Sequence, residues 1–390
     1  MKTVRLGDIC DIVSGGTPSR AKSEFWQGGT IPWIKIGNIK GKHVSEADEY
    51  ITKAGLDRSS AKMLQRGTIL YTIFATLGEV GILDIEACTN QAIAGISVRK
   101  TSEVQLDYLY YYLKSKKSYV DGIGRGVAQN NINMSMLRDF SVPLPEIERQ
   151  NEIVMILDRI SAVIDSRKLE LSSLDDLIKA RFVEVFGDPI TNPKGWETYQ
   201  LNDCLERIDN GKSFVCSDKP RVGDYPAVLK LSAATYGDYR PEENKALFDE
   251  NQFVEGAEVH SGDLLFTRKN TPELVGMAAY VQETPKRLMM PDLIFRLVTN
   301  YRMNPVFLWQ LINCKEFRPI IRGISGGSAK SMSNISKERL AKIKVVCPPR
   351  QMQDQFIPFV HQVDKSKIVI QKALEEAQAL FNSLMQRYYG

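Results

Sequence analysis

The chain lacks any long apolar run. No stretch of its 390 residues approaches the roughly 18 consecutive apolar positions that a membrane-spanning helix needs. Its start, MKTVRLGDIC, has neither the basic n-region nor the apolar h-region of a secretory signal. A soluble, cytoplasmic protein with no membrane contact is therefore expected. Histidine is scarce, with His43, His260 and His361 alone, and the six cysteines (Cys10, Cys88, Cys204, Cys216, Cys314, Cys347) lie far apart without a C-x-x-C. That spacing argues against both a disulfide framework and a metal site. Nor does one sign of charge dominate: 51 Lys and Arg face 47 Asp and Glu, a net +4 that names no partner.

What is present points to more than one core. The length exceeds what a single hydrophobic core usually supports, and 43% hydrophobic residues supply ample material. Locally the charge is lopsided. Residues 301 to 348 hold nine basic side chains against Glu316 and Glu338. Two readings fit: a solvated surface whose acids lie in PEENKALFDENQFVEGAEVHSGD, or a phosphate-facing patch.

The chain also repeats itself. A shift of 203 carries Asn131 and Ile132 onto Asn334 and Ile335, Leu137 onto Leu340, Pro145 onto Pro348, and Gln150 onto Gln353. A shift of 195 carries VRLGD onto YQLND, Gly16 onto Gly211, RGTILYT onto SGDLLFT, and Val80-Gly81 onto Val275-Gly276. Each copy begins with a region of short strand-like runs such as TIPWIKIGNI, GTILYTIF and IAGISV, bounded by Gly, Pro and Asn. DYLYYYLKSKK and NPVFLWQLINCKEFR read as short amphipathic helices with basic ends. The expected division is 1–145, a mixed α/β domain; 146–187, a long helix; 188–348, a second such domain; and 349–390, a second long helix.

The helical segments carry a coiled-coil seam. In the first it comprises Ile153, Leu157, Ile160, Ile164, Leu171, Leu174, Ile178 and Val185. In the second it comprises Phe356, Val360, Val363, Ile370, Leu374, Ala377, Phe381, Leu384 and Tyr388, broken by Lys367. Each stripe needs a partner. Antiparallel pairing of the two helices is expected, relating the halves by an approximate twofold; the alternative is packing within each half. Pro358 predicts a late start or a kink in the second helix.

With its opening VRLGDICDIVSGGTP, the phrase IPWIKIGNI, the pair RGTILYT and SGDLLFTRKN, the loops GVAQNNINMSML and GSAKSMSNI, and the helix starts PLPEIERQNEIV and PPRQMQDQF, the chain resembles the specificity subunits of type I restriction-modification systems. The resemblance covers essentially the whole chain. It implies an α+β fold of two target-recognition domains, each reading one half of a bipartite sequence in double-stranded DNA, with paired helices as spacer ruler and docking surface. The implied partners are two modification subunits that use S-adenosylmethionine to methylate adenine, joined by restriction subunits that use ATP and Mg. The resemblance implies no catalytic centre and no bound cofactor in this chain.

The residues agree on that negative. Asn304-Pro305 continues with Val306 and makes no adenine-methyltransferase motif; GIGRGVAQ does not complete G-x-G-x-x-G, and GISGGSAKS lacks the Gly before Lys330 that a P-loop needs. The contact candidates are basic and amide side chains. Arg268, Lys269 and Asn270 are expected at a loop tip, where Arg or Lys can bond guanine and Asn adenine. The matching loop of the first copy, TIFATLGEVG, has only Thr72 and Thr76 to offer, which makes Lys35, Asn38, Lys40 and Lys42 better candidates there. Arg125, Gln129 and Asn130 of the first amide-rich loop and Lys212 join the set; Arg318, Arg322 and Lys330 are expected on phosphates. Plain solvation, and for the amide-rich loops a capping role, are the competing readings. A solitary DNA-binding or scaffold protein dimerising through its coiled coil is the alternative function.

Overall fold

The runs ILYT (Ile69–Thr72) and LLFT (Leu264–Thr267) are buried at every position, the pattern of strands covered on both faces. Each is entered through a glycine in the left-handed region, Gly67 (φ 85°) and Gly262 (φ 95°), where a side chain would be strained. The Gly67 amide bonds the Leu83 carbonyl at 2.8 Å, and the Gly262 amide bonds that of Val281 at 2.7 Å. Shared chemistry at RGT and SGD thus starts the same strand twice. In this computed structural model, residues 2–99, 101–124, 131–326 and 332–390 are described. The candidates Arg125, Gln129, Asn130 and Lys330 lie outside them.

The chain forms two units, residues 1–168 with 371–390, and residues 169–370. In the first, a five-stranded sheet runs Cys10–Ser14, Ile93–Val98, Ile69–Thr72, Val80–Leu83, His43–Val44, antiparallel but for the last pair. A three-stranded sheet, Glu49–Ile51, Ile31–Ile34, Cys88–Thr89, adds one antiparallel and one parallel pairing. The second unit repeats the scheme with Leu205–Asn210, Ile294–Thr299, Leu264–Thr267 and Ala278–Tyr280, and with Asn244–Ala246, Ala227–Leu229 and Leu288–Met289. The start of each copy pairs with the strand before its long helix: Thr3–Arg5 with Ser141–Pro143, and Thr198–Gln200 with Lys344–Val346.

The expected amphipathic helices are more buried than a one-sided stripe. Helix Leu106–Ser115 buries Tyr108 to Leu113 without a break, and helix Pro305–Asn313, with Pro at its start and Asn304 capping the Val306 amide, buries five of its first seven side chains and more. Tyrosine hydroxyls survive there because each finds a partner: Tyr108 donates to the Pro143 carbonyl at 2.7 Å, Tyr112 to that of Ser141 at 2.9 Å, and Tyr111 to Asp158.

The long helices are Ile147–Phe186 and Arg350–Tyr389. The second starts at once and runs through Pro358, correcting the expected late start. Only one intrahelical bond is forfeited, and Pro358 is exposed. Within each unit the two helical segments are antiparallel. In the first, Arg149 lies over the Tyr388 ring, while Tyr111 touches both Asp158 and Phe381. In the second, Phe182 and Phe186 meet Phe356 at 5.8 and 5.5 Å, and Asp175 pairs with Lys367 at 2.6 Å. Of the seam, Ile153, Leu157, Ile164, Ile178, Phe356, Val360, Val363, Ile370, Leu374 and Phe381 are buried; Ile160, Leu171, Leu174 and Leu384 are half-buried. The helices do more than face each other. Phe182, Phe186 and Phe356 belong to the same core as Phe307 of the domain helix, so both expected modes of burial operate.

Two glutamines fasten this arrangement. Gln150 is fully buried; its carbonyl accepts from the Gln105 amide at 2.9 Å, and its NH2 donates to the Glu103 and Pro145 carbonyls at 2.8 Å. Gln353 repeats this, accepting from the Asn304 amide at 2.8 Å and donating to Arg302 and Pro348 at 2.9 and 2.7 Å. Replacing either with leucine removes the partner of one amide and two carbonyls, part-buried at Gln150 and more deeply buried at Gln353. A loss of about 2–4 kcal/mol is expected for Gln150→Leu and for Gln353→Leu, read from urea unfolding monitored by tryptophan fluorescence.

Candidate nucleic-acid interface

The segment expected to present Arg268, Lys269 and Asn270 at a loop tip is a strand. Lys269 and Asn270 pair with Asn334 and Ser333, and the Arg268 carbonyl accepts from the Ile335 amide at 2.8 Å. Because side chains alternate across a strand, the three residues part company. Asn270 turns inward, 7% exposed, and donates to the Thr235 hydroxyl at 3.1 Å. The Arg268 guanidinium lies 4.8 Å over the Phe295 ring and reaches Asn334 Oδ1 at 3.4 Å. Lys337 crosses the same ring at 5.7 Å. Lys269 is half-buried and has no ion-pair partner among the described residues. Arg268 and Lys337 thus share the Phe295 ring, while Lys269 points to the other face of the strand.

Arg318 and Arg322 hold the neighbouring turn. Arg318 is 7% exposed and donates to the Gly276 and Val275 carbonyls, each at 2.6 Å. Burial, with Arg322 nearby, pushes its pKa down to about 10. Its guanidinium is committed to backbone and does not face solvent as the phosphate role requires. Arg322 is exposed, bonding the Glu273 carbonyl at 3.0 Å.

In the first unit the equivalent backbone carries other side chains. The Ile73 carbonyl accepts from the Ile132 amide at 3.0 Å, and Phe74 bridges to Asn131. Ile73, Phe74 and Ala75 therefore stand where Arg268, Lys269 and Asn270 stand in the second. Thr72 is fully buried and structural: its hydroxyl accepts from the Glu79 amide at 2.8 Å and donates to the Thr76 carbonyl. Thr267 does the same work for the Met277 amide at 3.0 Å. Thr76 is exposed.

The other candidates of this unit fall into two groups. Lys40 is exposed without an ion-pair partner among the described residues. Asn38 accepts from the Lys35 amide at 2.9 Å, and Lys35 pairs with Glu49 at 2.6 Å. Arg20 and Lys35 hold the Glu49 carboxyl below its usual range against the small opposing effect of burial. Lys42 bonds Asp158 at 2.7 Å and Asp107 at 2.8 Å, between the Tyr110 and Tyr111 rings. Burial opposes its charge, but the hydrogen bonds to Asp107 and Asp158 outweigh it and raise its pKa.

A second contrast lies on the three-stranded sheets. By register, Trp33 corresponds to Val228 and Glu49 to Lys245. In the first unit Trp33 fills the space, donating to the Gly16 carbonyl at 3.0 Å, with Arg20 stacked 3.6 Å over Trp26 and bonded to Glu49. In the second, valine falls short and leaves a hollow of about 280 Å³ walled by Lys212, Phe214, Lys245 and Asp292. Lys212 is exposed at its rim. Sequence inspection passed over Phe74, Trp33 and Lys245; comparing matched strand positions one by one would have found them.

Lys42→Met is expected to destabilise the protein by about 1–3 kcal/mol at neutral pH. A raised folded-state pKa means this contribution is whole below the ordinary lysine value of 10.5 and fades as pH rises through the folded value. The stability gap between wild type and variant, measured by urea unfolding at pH 8 and near pH 11, should shrink.

The family of type I restriction modification DNA specificity domains matches this chain twice, over residues 1–174 and 193–378. The MjaIX specificity subunit of Methanocaldococcus jannaschii is 30% identical over 229 residues, covering 54% of this chain and 52% of that protein. The EcoKI specificity subunit of Escherichia coli is 22% identical over 410 residues, covering 98% of this chain and 86% of that one. The chain thus spans about half the length of the first of these relatives. The crystal structure of a type I restriction-modification S subunit from M. genitalium shares the fold, with a TM-score of 0.56 at 13% identity over 100% of this chain and 96% of that one. With both copies of its repeat matched, this chain belongs to the family of type I restriction modification DNA specificity domains.

Proposed function

We propose that this chain is the DNA sequence-recognition subunit of a type I restriction-modification complex. Each globular region reads one half of a bipartite target in double-stranded DNA. The long helices set the spacer between the halves and dock two modification subunits, with restriction subunits completing the assembly. The expected domain limits, 1–145 and 188–348 with helices 146–187 and 349–390, serve this reading. Catalysis belongs to the partners, S-adenosylmethionine to the modification subunits, and ATP and Mg to the restriction subunits; the cytoplasm, where DNA and these cofactors meet, is its place of work.

The observation that carries the reading is a shared scaffold with unlike exposed positions. Buried positions of the two units match down to single hydrogen bonds, as with Thr72 and Thr267 or Gln150 and Gln353. Outward positions do not match: Phe74 stands where Lys269 stands, and the turn that follows closes on Thr72 at Gly78 in the first unit but on Thr267 only at Gly276 in the second. A protein that reads two different short sequences needs this division. Lys269, Arg268, Arg322, Lys212 and Lys40 are the contacts we assign to DNA, the first two nearest base edges or phosphate. Arg318, Asn270, Thr72 and Lys42 hold the frame.

Methylome sequencing of a strain with and without the chain should reveal one bipartite motif that depends on it. Replacing residues 188–348 with a second copy of 1–145 should turn that motif into a symmetric one. Lys269→Ala should lower the salt dependence of DNA affinity by about one unit per phosphate contact, measured by fluorescence anisotropy from 50 to 200 mM salt. An unchanged motif in the graft would defeat the two-reader assignment. A chain that purifies as a lone homodimer with no methyltransferase partner would favour the scaffold alternative.

A further inference from the structure

Phe74 is one of the exposed apolar side chains that the contacts assigned above do not use. It is 40% exposed, and its neighbours Ala75 and Thr76 are exposed as well. Soluble proteins tolerate single exposed aromatics, so exposure alone decides nothing. Position does. Phe74 makes the same bridge to Asn131 that Lys269 makes to Asn334, on the same side of a backbone fixed by equivalent bonds. Where one unit presents an ammonium group, the other presents a phenyl ring.

The ring is also held rather than loose. Thr72 ties the two arms of its turn through the Glu79 amide and the Thr76 carbonyl, and Glu79 is itself paired with Lys117. Gly78, at φ 73°, closes the turn against Lys117, where an added side chain would be strained. Ala75, at φ 62°, occupies a conformation that a residue with a side chain adopts at a cost. A turn so constrained fixes the direction in which Phe74 projects, which a merely solvated residue does not require.

We propose that Phe74 determines specificity in the first unit by contacting the C5-methyl group of a thymine in the major groove. This rests on the DNA-reading function proposed above. Base-pair edges in that groove present hydrogen-bond donors, acceptors and one apolar group, the thymine methyl. A phenyl ring can pair with nothing else there without stripping water from a polar atom it cannot satisfy. Phosphates are excluded for the same reason. The lysine at the equivalent place in the second unit suits guanine or phosphate, so the two half-sites differ in base composition where these residues reach them.

The test uses the full chain assembled with its modification subunits and a duplex carrying the target found by methylome sequencing. Each thymine is replaced in turn by 2′-deoxyuridine, which removes the methyl and nothing else. For the wild type, one position should weaken binding about three- to five-fold, the share of a single buried methyl. Phe74→Ala should bind the unaltered target about ten-fold more weakly, with an unchanged thermal midpoint, and should be indifferent to uracil at that position. Phe74→Leu should retain part of the discrimination. Lys269→Ala should leave it intact. If no thymine is methyl-sensitive, or if Phe74→Ala keeps the wild-type sensitivity, the assignment is wrong. If Phe74→Ala loses affinity while wild-type binding never depended on a methyl, the ring stacks elsewhere and the assignment is equally wrong. Failure of the underlying function looks different: the wild type would then show no preference for the target over a random duplex.

Discussion

A side-chain amide offers one acceptor and two donors, and the junction between each domain helix and each long helix presents one amide and two carbonyls. Glutamine satisfies that set. Glutamate has no donor when ionised, lysine has no acceptor, and asparagine is one methylene short. Gln150 and Gln353 therefore fix where each long helix begins relative to the helix capped by Gln105 or Asn304. Both glutamine side chains are fully buried, where leaving a partner unmade costs more than making the bond gains. Within its own unit, the first part of each long helix takes its rotation from that start. A helix turns about 100° per residue, so a one-residue slip at the junction would present a different face to the domain core.

The far end of each long helix joins a core as well. In the second unit Phe182 and Phe186 pack on Phe307 and Phe356. In the first Tyr389 packs against Tyr108 and Tyr112, with the Tyr389 hydroxyl on the Tyr108 carbonyl and Lys116 on the Tyr389 carbonyl. Residues 371–390 are thus part of the first unit's core, although some 200 residues separate them from the rest of it. Lys367, which interrupts the apolar seam, is paired with Asp175 and lies 3.9 Å from Asp364, itself bonded by Gln282. A polar pair within an apolar seam disfavours shifted registers, because a slip parts the mostly buried Lys367 ammonium from its acid.

The fold was legible where the sequence states a period or repeats a phrase. The 4-3 alternation located both long helices, and the match of RGTILYT with SGDLLFT located one strand of each sheet. The amphipathic reading of DYLYYYLKSKK understated its burial, because Tyr108, Tyr111 and Tyr112 each find an acceptor for their hydroxyl inside. Pro358 looked disruptive because proline's cost is counted locally; tertiary packing of Phe356 and Val360 on either side outweighs one missing bond. The candidate contacts were less legible. Charge identified basic residues without telling those that face water from those that serve the frame: Arg318 and Lys42 have their polar atoms spent on internal partners, while Lys269 and Lys40 do not. Phe74 carries neither charge nor donor, so only the strand-by-strand match of the two copies sets it apart.

The same comparison separates two kinds of difference between the units. Phe74 and Lys269 stand on backbone whose bonds do not involve their side chains, so exchanging such residues should alter stability by only about 0.5 kcal/mol or less. Trp33 and Val228 are coupled to their surroundings. Tryptophan needs the Gly16 carbonyl, and Arg20 stacked nearby needs Glu49, whose place Lys245 takes in the second unit. Changing that position alone would leave either an unfilled space or an unpaired charge, so its neighbours must change with it. A scaffold built this way can vary its strand-edge residues one at a time, while the residues around Val228 and Lys245 change only as a set.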